Sequence, residues 1–299
     1  MAVANNERTL MTAIIPPAST HIYSLHSILI KNNIQELVEF SAFTSSIIAD
    51  FIIRISGRTN ILASDLKTLP KIFSPWILPV LHRGLRLNAL TSHYKELWVA
   101  ISPAEIIREQ WASESEILQK SVAAWNSQES EAGTQDTNTF THPIKTYPYE
   151  VPWSALAPHK WSWHSPLRSD YARRQALLEI DVLVSLALGL TLDELQLIYR
   201  AQFPVMRQYE IADEYDAHGI LIPSTNRKAA GGKEVRAARK DWDDESPQTV
   251  SWQIDDGNQT VTKTFYPPFT RIDREADYEY AYNFFKAKYG IKELGILNT

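Results

Sequence analysis

Cysteine is absent from the 299 residues. Disulfides, thiolate zinc sites and cysteine nucleophiles are therefore excluded. Glycine is scarce, at 10 residues, and no Gly-x-Gly occurs. This removes the glycine-rich loops that cradle phosphates and nucleosides. No Gly-x-Ser-x-Gly elbow and no His-Glu-x-x-His are present, so the common hydrolase and zinc-protease signatures are missing too. Positive charge is not in excess. The formal net charge is −5 with a pI near 5.9, which argues against a stand-alone, strongly basic nucleic-acid binder. Long apolar runs are also lacking. The most apolar stretch, Ala176 to Leu190, is interrupted by Glu179 and Asp181 and is shorter than the ~20 residues of a membrane span. The opening residues, Met1 to Arg8, have no cationic-then-apolar leader pattern. The expected setting is a prokaryotic cytoplasm, without a membrane partner.

What is present is enough apolar material, 44% of the chain, for one large domain or two ordinary ones. Thr9 to Ile15 and Ile22 to Ile30 read as two strands around Pro16-Pro17. Ile34 to Phe40 has the spacing of a short helix; Ser45 or Ser46 can cap another through Ile53 before Gly57 breaks it, although so short an apolar run fits a strand as well. Residues 75–98 and 103–119 read as helical. Residues 126–146, rich in Ser, Glu, Thr, Asn and Gln, read as a mobile loop. The strongest helix is expected over residues 169–188. Thr191 and Glu194 form a capping box for a second one, which Pro204 ends. Residues 211–262 hold turns and short strands, and a last helix covers 273–288. Trp153, Trp161 and Trp163 are expected to fill a core.

Chemistry is thin. His93 and Glu96 lie one helical turn apart and read as a structural pair. Tyr266-Pro267-Pro268-Phe269 has the last three residues of the adenine methyltransferase tetrapeptide but not its first. A phenol cannot orient the target amine as an acid or amide oxygen does. The one positive cluster runs from Asn226 to Lys240 and contains Lys228, Lys233, Arg236 and Arg239. Its cations are candidates for phosphate contact, and Gly231-Gly232 would let the backbone approach closely. The helix–turn–helix look of residues 170–203 reads as helical-hairpin packing, because acids open its second helix.

Several strings, in order, resemble one family: the long single-chain adenine-specific DNA methyltransferases of restriction–modification and DISARM-like phage-defence systems. They are Asn6-Glu7-Arg8-Thr9-Leu10-Met11-Thr12-Ala13-Ile14-Ile15-Pro16-Pro17, Asp65 to Pro70, and Leu85 to Trp98. Further on come Arg173 to Asp181, Leu188-Gly189-Leu190-Thr191-Leu192-Asp193-Glu194-Leu195, Tyr199 to Val205, Tyr215 to Gly219 and Asp273 to Tyr278. The resemblance spares residues 110–145.

It implies an α+β chain. A small α/β target-recognition domain over residues 1–75 would precede a mainly helical domain with short strands over 76–299. It also implies that the catalytic domain, with its S-adenosylmethionine, lies outside this chain, which itself holds no cofactor. Double-stranded DNA would be the target, and the catalytic domain and other phage-defence proteins the partners. Candidate base readers are Arg8, Lys31, Asn32, Arg54, Ser56, Arg58, Thr59 and Asn60, led by Arg54 and Arg58, since arginine on guanine is the commonest specific contact. The alternative is an interaction scaffold that holds a partner protein and no DNA.

Overall fold

A computed structural model describes residues 7–17, 19, 25–31, 33–57, 61, 63–73, 75–128, 150–224, 227, 229–254 and 257–291. Its helices are α1 (Ile34–Thr44), α2 (Ile47–Ile55), α3 (Ala63–Leu66), α4 (Ile77–Asn88), α5 (Lys95–Ile101), α6 (Glu116–Gln128), α7 (Asp170–Ala187), α8 (Leu192–Gln202), α9 (Pro204–Ala212), α10 (Gly232–Arg239) and α11 (Arg274–Lys288). Strands β1 (Glu214–Tyr215), β2 (Leu221–Ile222) and β5 (Thr270–Arg271) form one small antiparallel sheet in the order β2-β1-β5. Strands β3 (Gln248–Ile254) and β4 (Gln259–Phe265) form a separate antiparallel hairpin. The fold class is α+β, as expected.

Local chemistry sets most helix ends. The Ser46 and Ser169 hydroxyls accept from the Ala49 and Ala172 amides and start α2 and α7. Thr191 and Glu194 form a complete capping box on α8. Pro204 ends α8 and also opens α9, a helix the sequence reading did not anticipate. A proline at the first helical position lacks only an amide that would have no partner there. The expected helix over 75–98 divides at Ala89 to Thr91 into α4 and α5. Most of the segment 103–119 is a 3-10 turn (Ala104–Arg108) followed by extended chain, with α6 beginning only at Glu116. Residues 126–128 are the last turn of α6, and the rest of the expected loop lies outside the described residues.

Helix α7 is the axis. Its interior positions are buried on every side, including Arg174, Gln175, Glu179 and Asp181. Helices α4 and α11 pack on it, and α1 packs on α4. The α1–α4 contact is close enough to need Gly84, because a Cβ there would sit 2.3 Å from the Cβ of Ala42.

Two expectations for the N-terminal part do not match this packing. The described residues of 9–15 and 22–30 form no ladder; Leu10 and Ile14 instead bury their side chains among helices. Among the described residues no separate core lies before residue 75 either. Leu10, Phe43, Ile47 and Ile72 share one apolar cluster with Leu178, Leu183, Tyr278 and Phe285. The buried Asp181 carboxylate accepts from the Ile47 amide at 2.8 Å, tying α2 to α7. The α1–α2 hairpin would expose its apolar face if it stood alone, so it is part of the helical body.

Candidate nucleic-acid interface

Most of the arginines singled out from sequence have their donors occupied inside the protein. Arg8 donates to the Ser45 and Ser46 carbonyls at 2.7 Å and to Asp50 at 3.3 Å, capping the end of α1. Arg54 donates to the Thr9 hydroxyl and the Gln202 carbonyl, lies 3.8 Å from Asp50, and stacks over the Phe203 ring at 4.4 Å. Arg236 donates to the Ser224 and Arg227 carbonyls. Arg239 forks onto Glu214 at 2.7 and 3.4 Å and lies over Phe269. Arg8, Arg54 and Arg239 hold the fold and offer no free guanidinium fork to a base; both bonds of Arg236 use its Nη1. Lys31 and Lys233 are exposed; so is Ser56, whose hydroxyl donates to the Ile53 carbonyl at the end of α2. Asn32, Arg58, Thr59, Asn60 and Lys228 lie outside the described residues.

The glycines of the basic segment serve packing. Gly231 has a φ of +68°, and a Cβ there would fall 2.3 Å from the Trp252 ring. The ring seats on that backbone, so the close approach expected for phosphate is filled by tryptophan. Val235, Val250, Phe265 and Ile222 complete a small core under Trp242 and Trp252. This core fixes the β3–β4 hairpin to α10.

The hairpin's other face has a different chemistry. Strand alternation turns Val250, Trp252, Val261 and Phe265 inward. It turns Thr249, Ser251, Gln253, Thr260, Thr262 and Thr264 the other way, and most of these are exposed. The outward residues pair across the strands. Thr249 and Thr264 hydroxyls lie 2.9 Å apart, Ser251 and Thr262 lie 2.8 Å apart, and Thr260 donates to Gln253 at 3.2 Å. The result is a ribbon face of six hydroxyl or amide groups without a charge. The exposed Lys233 and Lys240 lie on and just after α10, which packs against the hairpin's inward side. Acids flank it as well: Asp243, Asp244 and Glu245 precede β3. The sequence reading missed this face, although its Thr-x-Ser-x-Gln and Thr-x-Thr-x-Thr alternation was visible.

Buried charge is concentrated elsewhere, around α7. Arg83 is fully buried between Glu179 (2.6 Å) and Glu109 (3.0 Å). Burial pushes the Glu109 carboxyl up, but Arg83, His82 and Lys288 outweigh it and hold it down at about 2. Burial brings Arg86 down to about 10 despite Glu150. Arg274 bridges Glu210 (2.5 Å) and Asp181 (2.8 Å) and donates to the Tyr278 hydroxyl at 2.7 Å. Burial first, then Asp181, raises the Tyr278 phenol well above its ordinary value. Each carboxylate of these networks has its cation, an arrangement that positions helices.

One nuclease-like spacing, Asp65-Leu66-Lys67, is present. Its aspartate is buried, and among the described residues no group of three His, Asp or Glu side chains is set to hold a metal. Trp153 is buried, as expected, while Trp161 and Trp163 are half-buried. Trp161 donates to the Ala89 carbonyl, and Trp163 lies under Arg168 at 3.9 Å. No described helix is long and apolar enough to cross a membrane. No family model, curated protein or solved structure matches the chain.

Proposed function

We propose that this chain provides DNA target recognition and structural support for an adenine-specific DNA methyltransferase of restriction–modification or phage defence, whose catalytic domain with S-adenosylmethionine lies elsewhere. The observation that carries the reading is the uncharged face of the β3–β4 hairpin. A two-stranded ribbon fits the major groove of B-DNA, and Ser, Thr and Gln side chains hydrogen-bond to base edges there. A face of hydroxyls and one amide, already aligned by cross-strand pairs, suits that task better than the occupied forks of Arg8 and Arg54. Reading thus moves from the N-terminal arginines to the hairpin. Lys233 and Lys240, both exposed, supply phosphate contacts that set register. The acids before β3 and the overall negative charge keep affinity low until the catalytic domain adds its own cations.

A second reading, the interaction scaffold, draws on one observation. Leu29 and Phe73 are 77% and 68% exposed, with Leu25, Ile28 and Ile34 also exposed nearby in the chain. Exposed apolar side chains mark protein contacts where they form a contiguous patch.

Salt dependence separates the two. Fluorescence anisotropy with random duplex DNA at ~50 and ~200 mM salt should show binding that falls steeply with ionic strength, as counterions are released. Changing Lys233 and Lys240 together to alanine should flatten the slope of log affinity against log salt by up to ~2, about one per lost phosphate contact. Changing Ser251 and Thr262 together to alanine should weaken a selected sequence and leave random DNA unaffected. Absence of binding at low salt, with or without the catalytic domain added, would leave the scaffold reading in place.

A further inference from the structure

Residues 10–15 alternate in the manner of a strand without belonging to a sheet. Leu10 and Ile14 are 4% and 9% exposed, whereas Met11 and Ile15 are 79% and 52% exposed. Period-two burial marks extended backbone lying on a core. The segment is pinned at its ends. The Thr9 amide donates to Asp50, the Ile14 amide donates to Asn88 at 2.9 Å, and the Ile14 carbonyl accepts from the Tyr94 hydroxyl at 2.7 Å. Between these pins, the main-chain N–H and C=O groups of Leu10, Met11, Thr12 and Ala13 make no hydrogen bond among the described residues. Among the described residues Thr12 is anchored through its hydroxyl, to the Thr44 hydroxyl and the Ser41 carbonyl.

A groove of about 270 Å³ runs beside these free groups. Leu10 to Ile14 form one wall; Leu87, Leu90 and Leu177 give the rest an apolar lining. Among the described residues its only charged lining groups are Arg8 and Arg173, with no carboxylate. Arg8 is matched by Asp50. Arg173 donates to the Leu87 and Leu167 carbonyls and has no carboxylate within ion-pair distance among the described residues. The groove thus combines an open main-chain edge, apolar walls and one cation without a direct ion pair, Arg173, on which Asp170 and Glu150 act only from farther off. A helix satisfies its own main chain and has no use for such an edge. An extended chain needs it, and strand addition draws its affinity from those bonds.

We propose that this groove is a binding site for an extended strand of a partner protein, with a carboxylate side chain placed against Arg173. Main-chain bonds to alternate residues of 10–13 set the strand's position, alternate apolar side chains fill the Leu87, Leu90 and Leu177 side, and the acid selects the partner. The site does not depend on DNA reading, so its test contains no DNA.

A library of N-acetylated, C-amidated hexapeptides is panned against the full chain, and selected peptides are titrated by fluorescence anisotropy. The expected winners alternate apolar residues and carry one Asp or Glu. N-methylation of alternate peptide amides weakens them at least tenfold. Replacing the peptide acid by its amide also weakens binding to the parent chain, but not to Arg173→Gln, because the two changes remove the same contact. Hydrogen exchange gives a readout on the parent chain alone: the amides of residues 10–13 exchange freely, and the alternate ones that face the added strand slow at least tenfold when the peptide saturates. No saturable peptide, N-methylated peptides that bind equally well, or unchanged exchange at residues 10–13 would each overturn the proposal.

Discussion

Asp181 accepts hydrogen bonds from the Ile47 amide, the Arg274 guanidinium and the Tyr278 hydroxyl, and none of its surface reaches solvent. Removing the carboxylate leaves Arg274 with Glu210 alone and orphans a buried amide. Breaking a buried pair from one side costs about 3–5 kcal/mol. Asp181→Ala is therefore expected to lower the urea midpoint by that equivalent or to prevent folding. Glu109 supports a prediction with pH. Its carboxyl, held at about 2 against an ordinary 4.5, stabilises the fold above about pH 4.5, and that contribution disappears as pH falls towards 2. The size is ~3 kcal/mol by linkage. Glu179, pushed up by burial despite Arg83, has the opposite sign, so the comparison must be between variant and parent. Glu109→Gln should be less stable than the parent at pH 7 and converge with it towards pH 2, measured by urea unfolding at each pH. A variant that stays equally far below the parent at low pH would show that Glu109 contributes through packing.

The hairpin is the element whose stability depends most on a few groups. A two-stranded ribbon is marginal in water unless one face packs on something. Here that face is Val250, Trp252 and Phe265 against Val235 and the Gly231 backbone. Gly231→Ala puts a methyl into the Trp252 ring at a φ that disfavours side chains, so the hairpin should detach while the helical body stays folded. Tryptophan fluorescence and proteolysis near residue 255 would report this; unchanged spectra and resistance to cleavage would contradict the assigned seat. At α8, loss of the capping box by Thr191→Ala should cost only about 1 kcal/mol, because both partners are exposed.

For the molecule as a whole, the relevant question is whether residues 1–75 and 76–299 fold independently. The apolar cluster crosses that boundary, and α1 packs on α4 with Gly84 against Ala42. A chain of residues 76–299 would expose the α4 face and leave the Asp181 carboxylate short of the Ile47 amide. It is expected to unfold without a cooperative transition, as followed by circular dichroism with heating. Cooperative melting close to the full chain's would instead establish two domains. The charge balance belongs to this scale too. With a net charge of −5, DNA binding by the isolated chain is expected to be weak and to vanish by ~200 mM salt.

The local pattern of residues was sufficient for α1, α7, α8 and α11 and for the capping box at Thr191, because hydroxyl caps and apolar spacing act within a few residues; over Ile47 to Ile53 that pattern was too short to separate helix from strand. It was not sufficient for Thr9 to Ile15. A β-prone string becomes a strand only if an edge is supplied, and helices cover its buried side instead. Nor did it fix the roles of Arg8, Arg54, Arg236 and Arg239. A guanidinium looks the same in sequence whether it meets DNA or a carbonyl of its own chain. Their main-chain partners lie 9 to 148 residues away, and only packing brought them within reach. The same holds for Gly231, whose neighbour is a tryptophan ring 21 positions on, and for the hairpin face, whose six polar groups share a surface only after β3 and β4 pair.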